Sequence, residues 1–287
     1  MVLWRACGLT GLLFLASCHQ PTRPAEIMSY DEYARSPWHF PYVVESTTGH
    51  GRLLYIGTRH FFDPGDPQAE LIETLWREFR PTLAFNEGGN PPTLDSAAEA
   101  VARHGEPGLV RFRAARDGVP VRDIEPPESA IAADLVRAGH RPEEVKLFLV
   151  LLAYDTYRRA KSDETPDEFI ARVLRVESRT ADLPGPPNTV AELATLYAEL
   201  FPQQPDWRAV PSHWFAPTHT DTLFNRLARR MSQLRDRHMV DLLVDAVRRG
   251  ERVFAVVGGS HVVMQEAALR SRLPSFRPRP VESGAGP

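Results

Sequence analysis

The stretch LYIGTRHFFDPGDP, residues 54–67, combines an apolar strand with a histidine close to its end. The apolar run 53–56 is typical of a buried strand, and His60 follows it after a glycine, a threonine and an arginine. Two valines, residues 43–44, precede the run across the segment ESTTGHG, which predicts a hairpin or two neighbouring strands. The stretch therefore predicts a strand that delivers an imidazole to its own end.

A helix and three further strands are predicted after this segment. Asp66 and Pro67 have the residue types of an N-cap and a first helical position, and the helix that they start runs to about Phe79. One of the strands contains a continuous apolar run, which is typical of a strand covered on both faces. The three strands are RPTLAFNEGG (80–89), GVPVRDIEPP (118–127) and ERVFAVVGGSH (251–261).

A long helical block lies between the last two of these strands. Its Pro- and Gly-rich residues 181–188 predict a loop. Apolar residues recur at helical spacing in the segments 131–138, 143–161, 189–200 and 221–249. The sequence therefore predicts an α/β fold, in which a central, mostly parallel sheet is flanked by helices and a large helical insertion, about 128–249, precedes the last strand.

Polar side chains stand at the ends of the predicted strands. The four strands end in His60, Glu87, Glu125 and His261, each with a glycine or a proline nearby. In open α/β sheets, ligands bind at the carboxyl ends of the strands. A lone histidine is more often a hydrogen-bonded core or surface residue, and a lone glutamate is usually solvated. The joint pattern, rather than any one residue, predicts a site.

Composition and charge restrict the class of partner. The 287 residues carry 34 Lys and Arg against 37 Asp and Glu, for a net charge of -3. This near balance leaves no basic surface of the kind that binds nucleic acid. The composition therefore excludes nucleic acid as a partner and favours a small-molecule or peptide substrate.

The first 18 residues have the features of a secretory signal. Arg5 precedes an apolar stretch, residues 9–16, that is much shorter than the ~20 residues of a transmembrane helix. The tetrad LASC (15–18) looks like a bacterial lipobox, in which Cys18 takes the lipid; the alternative is an ordinary signal peptide with an accidental cysteine. Because Cys7 lies in the removed segment, lipidation of Cys18 leaves no thiol for a disulfide, a metal or nucleophilic catalysis.

These features divide the chain into three parts. We predict a lipoprotein signal peptide over residues 1–18, a Pro-rich tether over residues 19–40 and a single α/β domain over residues 41–287. Several acyl chains on one cysteine anchor a protein to a membrane without a membrane span. We therefore expect a lipid-anchored protein of the cell envelope, and His19, in place of an aspartate, favours the outer membrane.

Four short motifs resemble those of one superfamily. GTRH (57–60) resembles the GTxH signature of the TraB/PrgY/GumN/Tiki superfamily, and Glu87 resembles the acidic residue that closes its next strand. GGSH (258–261) is similar to its distal GxxH motif, and RDRHM (235–239) to its R-D-x-x-M helix. The likeness covers about residues 50–272 and implies a fold related to the erythromycin esterases and the ChaN haem-binding lipoproteins.

The sequence departs from this superfamily at two places. Arg59 stands where a small residue is more usual, and glycines 88–89 follow Glu87 in place of a polar or apolar side chain. Arg59 brings a permanent positive charge near the site. We therefore expect a distinct branch with its own substrate or metal preference.

Two histidines and a glutamate can supply three protein ligands to a divalent metal. The predicted ligands are His60, Glu87 and His261, with Mn, Co or Zn as candidate ions, and the resemblance to Tiki proteins, described as metal-dependent peptidases, agrees. A metal so bound lowers the pKa of its water toward neutrality. Glu125, or Glu87 if it is not a ligand, would take the proton of this water, and Arg235 would stabilise the oxyanion.

A metal-free mechanism uses the same residues. The resemblance to erythromycin esterases implies a histidine as general base, with Glu87 fixing its tautomer and Arg235 at the oxyanion. Either version predicts a lipid-anchored hydrolase of an ester, amide or peptide bond. The alternative is a lipoprotein that binds haem or a peptide signal without turnover, although clustered Glu and Arg would be an unusual lining for haem.

Overall fold

The computed structural model describes residues 26–158, 164–180, 182–273 and 275–280. The predicted signal peptide, the lipobox with Cys18 and the first residues of the predicted tether lie outside this range. Among the described residues, none of the helices has both the length and the apolar character needed to span a bilayer.

The described residues form a six-stranded mixed sheet. The strands are β1 (Tyr42–Thr48), β2 (Gly51–Thr58), β3 (Leu83–Asn86), β4 (Val121–Asp123), β5 (Arg252–Gly258) and β6 (Arg277–Pro278). Their order across the sheet is β4, β3, β5, β2, β1, β6. The first four strands of this order run parallel, and β1 and β6 add an antiparallel edge. The predicted α/β class with a mostly parallel sheet is confirmed, and β1 and β2 form a hairpin, which is one of the two arrangements predicted for them.

Helices cover both faces of the sheet. They are α1 (Tyr30–Tyr33), α2 (Pro67–Phe79), α3 (Ala97–Asp117), α4 (Glu128–Arg137), α5 (Pro142–Tyr157), α6 (Pro166–Thr180), α7 (Val190–Leu200), α8 (Leu223–Arg248) and α9 (Gly259–Arg272). Helix α2 starts as predicted, because the Asp66 carboxylate accepts the Gln68 N–H at 2.8 Å and Pro67 takes the first helical position. Helices α1, α3, α6 and α9 are not among the predicted helices.

The central strands are buried on both faces. In β5, Val253, Ala255 and Val257 pack with α8 and α9, whereas Phe254 and Val256 point to the opposite face and pack with α2 and α3. This alternation follows from the period of two along a strand. It explains the continuous apolar run in the sequence, because both faces of β5 are covered by helices.

The helical block has a core of its own. Helices α4 to α7 bury their apolar faces against one another and against the first turns of α8, from Phe224 to Met231. Later turns of α8, from Met239 to Val247, pack on the sheet instead. Helix α8 therefore joins the two cores, and its middle turn lies where they meet.

The described part of the predicted tether packs against the domain. Tyr30 is buried, and the Met28 N–H donates to the Met264 carbonyl of α9 at 2.9 Å. The ring of Phe40 lies against Gly259 at the start of the same helix. Residues 26–40 are therefore part of the folded unit.

Candidate active site

The carboxyl ends of the four parallel strands meet at one edge of the sheet. His60 follows β2, Glu87 follows β3, Glu125 follows β4, and His261 lies in the first turn of α9 after β5. Glu87 Oε1 lies 3.5 Å from His261 Nε2, and one guanidinium, that of Arg235, binds both Glu87 and Glu125. The structure therefore brings together the residues that the strand ends predict.

Three glycines allow this close approach. A Cβ on Gly57 would stand 2.8 Å from the Gly259 Cα, so the GTRH and GGSH segments can pack only as glycine on glycine. A Cβ on Gly258 would stand 3.1 Å from His60 Nε2 and 3.4 Å from Glu87 Oε2. His60 Nε2 and Glu87 Oε2 therefore both lie on the side of Gly258 that a Cβ would occupy.

Glu87 is the centre of the site. Its Oε1 accepts an N–H from Arg235 at 2.7 Å, and its Oε2 accepts the Gly258 N–H at 2.6 Å, at the N-terminus of α9. Burial on its own would raise the pKa of Glu87, but His261, Arg235 and the Gly258 N–H together hold that pKa well below its usual range. Glu87 is therefore a fixed negative charge.

Each histidine is held by a buried carboxylate at Nδ1. His60 Nδ1 lies 2.5 Å from Glu106 of α3, and His261 Nδ1 lies 2.7 Å from Asp236 of α8. A carboxylate on Nδ1 leaves Nε2 as the working nitrogen of the ring. In both residues this nitrogen faces the neighbourhood of Glu87.

The two histidines differ in exposure. The side chain of His60 is 63% exposed while that of Glu106 is 3% exposed, so this pair has one open and one buried member. The hydrogen bond with Glu106 raises the pKa of His60. His261 is buried, which would lower its pKa, but the charges of Glu87 and Asp236 outweigh this and raise it to about 10. His261 is therefore an internal cation, and His60 is the imidazole that a ligand can reach.

Arg235 is bound by two carboxylates. Its Nε donates to Glu125 Oε2 at 2.5 Å, and its Nη2 donates to Glu87 and to Glu125 Oε1. Both oxygens of Glu125 are thus occupied, so this residue holds the guanidinium in place. Arg235 Nη1 has no hydrogen-bond partner among the described residues, which leaves it available to a ligand.

The predicted metal ligands lie in one site but do not form a ligand set. Both oxygens of Glu87 accept N–H donors, and the charges of Glu87 and Asp236 raise the pKa of His261 and favour its protonated form, whereas a metal ligand must be a neutral imidazole. In the part of the chain that the structure describes, no group of three or more His, Cys, Asp or Glu side chains is arranged to hold a metal ion. A metal held by His60, Glu87 and His261 stays a prediction.

Sequence reasoning missed three side chains that support the site. Glu106 holds His60, Asp236 holds His261, and the Gln265 amide donates to Asp236 at 2.8 Å. Asp236 is turned about 100° from Arg235 along α8, yet both are used because two sides of this helix border the site. The signal for Glu106 was its position between Gly105 and Pro107, two residues that break a helix.

Arg59 lies beside this site. Its backbone N–H donates to the Gln68 Oε1 at 2.9 Å, and its carbonyl accepts from the Gln68 amide at 3.1 Å, so α2 fixes the chain just before His60. The Arg59 side chain is exposed. Its charge therefore faces solvent next to the open imidazole.

Comparisons with known proteins add no relative. Searches against protein-family models, curated proteins and solved structures found no match to this chain. The likeness to the TraB/PrgY/GumN/Tiki superfamily therefore rests on the four short motifs alone.

Proposed function

We propose that this protein is a hydrolase of ester or amide bonds, with His60 as the general base. The observation that carries the proposal is the His60–Glu106 pair, in which an exposed imidazole is fixed at Nδ1 by a buried carboxylate and opens Nε2 toward Glu87. A general base must be reachable, oriented and placed beside the reacting atoms. His60 is reachable because it is exposed, and it is oriented by Glu106. Its position at the strand ends, next to Glu87, places it beside the reacting atoms.

Each step of the reaction has a residue to carry it. His60 Nε2 takes a proton from a water next to Glu87, and the hydroxide formed attacks the carbonyl carbon of the substrate. Arg235 Nη1 donates to the oxyanion, where a permanent positive charge is most useful. When the C–O or C–N bond breaks, His60 returns the proton to the leaving group, so the protons balance.

The remaining polar residues act as positioning residues. Glu106 keeps His60 in one tautomer, and Glu125 holds Arg235. His261, buried between Asp236 and Glu87, holds the Glu87 carboxylate in place. The assignment of Glu125 and His261 to support, rather than to proton transfer or metal binding, differs from the sequence-based expectation and follows from their partners.

The proposal includes the location expected from the sequence. We propose that Cys18 carries the lipid anchor and that the domain acts at the cell envelope, on the outer membrane, on small-molecule or peptide substrates. The test is metabolic labelling with a radioactive fatty acid, in which Cys18→Ala removes the label and releases the protein from the membrane fraction. Label that persists in the variant contradicts the anchor.

Turnover in the presence and absence of a chelator tests the proposed activity. The purified full-length chain is assayed on p-nitrophenyl esters and on chromogenic peptide amides, with EDTA and with added Mn, Co or Zn. We expect turnover that survives EDTA. Turnover that requires metal, with about one ion per chain by elemental analysis, would instead support the metal-dependent version.

The same preparation tests the non-catalytic alternative. A haem titration that shifts the Soret band, together with no turnover of any ester or amide, would contradict the hydrolase and favour a binding lipoprotein. The absence of both turnover and a Soret shift would contradict the hydrolase and the haem version of the alternative.

A further inference from the structure

Phe62 is an exposed aromatic side chain two residues after the proposed general base. It is 61% exposed. Among the described residues, the other exposed large apolar side chain is Val176 on α6, which is 48% exposed. A single exposed apolar residue needs no explanation by itself. The position of Phe62 relative to His60 and Glu106 is what gives it a role.

The chain alternates in burial through this segment. His60 is exposed, Phe61 is buried and Phe62 is exposed again. Residues two apart in a chain have Cα atoms that are at most about 7 Å apart. His60 and Phe62 are therefore two exposed side chains whose Cα atoms lie within about 7 Å of each other.

The backbone that carries Glu106 also supports Phe62. Gly105 has φ 62°, and a Cβ there would stand 2.8 Å from the Phe61 carbonyl oxygen and 3.6 Å from Phe62 Cε1. Only a glycine allows the break in α3 to lie this close to residues 61–62. The next residue, Glu106, bonds His60, so the aromatic ring and the general base share one rigid support.

Pro107, the residue after Glu106, lies close to the loop that follows Glu87. Pro107 Cγ would be 3.7 Å from a Cβ on Gly88, which directly follows Glu87. Gly105, Glu106 and Pro107 thus contact the Phe62 segment, His60 and the Glu87 loop in turn. Of the two phenylalanines that follow His60, Phe61 is buried and Phe62 is exposed. Phe62 is therefore the apolar side chain of this segment that a molecule bound at His60 can contact.

We infer that Phe62 binds an apolar group of the substrate beside the scissile bond, so that the preferred substrates are esters or amides with a long alkyl or aromatic group on the acyl side or on the leaving-group side of that bond. This inference rests on the proposed hydrolase. An apolar group that covers the ring removes its surface from water, and it does so close to His60, where the gain also orients the carbonyl. The contact discriminates by chain length and leaves the chemical step to His60.

Ester chain-length series test this inference. The full-length chain is assayed on p-nitrophenyl esters from acetate to octanoate, and on acetate esters from methyl to octyl. We expect kcat/KM to rise with chain length in at least one series. Phe62→Ala should reduce kcat/KM for the octanoate or octyl ester about tenfold and leave the short esters within twofold. Phe62→Leu, which keeps an apolar side chain, should retain most of the preference.

Val176→Ala is the matched control, since it removes the other exposed apolar side chain, which lies on α6 of the helical block. Equal losses on short and long esters in Phe62→Ala, or no loss on either, would overturn the inference and leave the hydrolase standing. A wild-type chain that turns over no ester or amide would remove the proposed function and this inference with it. Binding of a non-hydrolysable octyl phosphonate by calorimetry gives a readout without turnover: weaker binding by Phe62→Ala supports the inference, and unchanged binding opposes it.

Discussion

The site contains two histidine–carboxylate pairs, each bonded at the histidine Nδ1, that differ in their exposure to solvent. His60 is open and its partner Glu106 is buried, whereas His261 and Asp236 are both buried. An imidazole in contact with solvent can exchange protons with a ligand, while one enclosed between two carboxylates is held as a cation. The environment, and not the residue type, thus separates the working histidine from the supporting one.

Replacement of Glu106 tests this division of roles. Because the carboxylate fixes the His60 tautomer, we expect Glu106→Gln to lower kcat by about 10²- to 10⁴-fold with the fold unchanged. The hydrogen bond to Glu106 raises the pKa of His60, so this pKa should fall in the variant when measured by NMR titration.

The control for this variant is Glu99→Gln, on the same helix α3, where the carboxylate is exposed and pairs with Arg103. It should leave both kcat and the His60 pKa unchanged. A Glu106→Gln variant with wild-type kcat, or with an unchanged His60 pKa, would show that Glu106 does not position the imidazole.

Element by element, the sequence predicts the sheet better than the helices around the site. The strand ends and α2 carry local signals, namely apolar runs, an N-cap and a proline, and these do not depend on distant contacts. Helix α3 was not predicted because Gly105 and Pro107 interrupt its helical periodicity. Glu106, which binds His60, lies at this break. The role of Asp236 was not predicted because its partner, His261, is brought to it by the packing of α8 against α9, and local sequence patterns do not show which helices pack together.

The N-terminal helix α1 is expected to stabilise the domain through one residue. Tyr30 is buried under α8 and α9, and burial together with the nearby Asp236 charge raises its pKa. Loss of a large buried aromatic side chain costs about 3 kcal/mol or more. We therefore expect Tyr30→Ala to lower the free energy of unfolding by about that amount in urea denaturation.

Tyr33→Ala on the same helix is the comparison, because Tyr33 is only half-buried and stacks on Trp38. Its cost should be clearly smaller than that of Tyr30→Ala. Equal and small effects of both variants would mean that residues 26–40 add little to the folded unit.

The site lies where the hydrophobic core of the helical block meets the core between the sheet and helices α8 and α9. Met231 of α8 belongs to the core of the helical block and Met239 to the core beneath the sheet, and Arg235 and Asp236 lie between them. One rigid helix therefore sets the position of the guanidinium relative to the strand ends. The helical block supports the catalytic geometry without contributing Glu87 or the histidines.

The shared helix predicts that the two cores unfold together. Phe148 is fully buried in the helical block, and Phe148→Ala should cost about 3–5 kcal/mol. We expect this loss to appear equally in the hydrogen exchange of α5 amides and of β5 amides, because α8 couples them. A loss confined to α5 would mean that the helical block opens independently of the sheet.

The proposed reaction depends on an exposed His60 that activates a water beside the fixed charge of Glu87. The most direct measurement is kcat/KM of His60→Ala and Glu87→Gln against the wild-type chain on the best ester or amide of the panel, with His50→Ala, an exposed histidine of the β1–β2 turn, as control. We expect losses of at least about 10²-fold in both site variants and none in His50→Ala. Turnover that persists at the wild-type level in His60→Ala would contradict the proposed reaction.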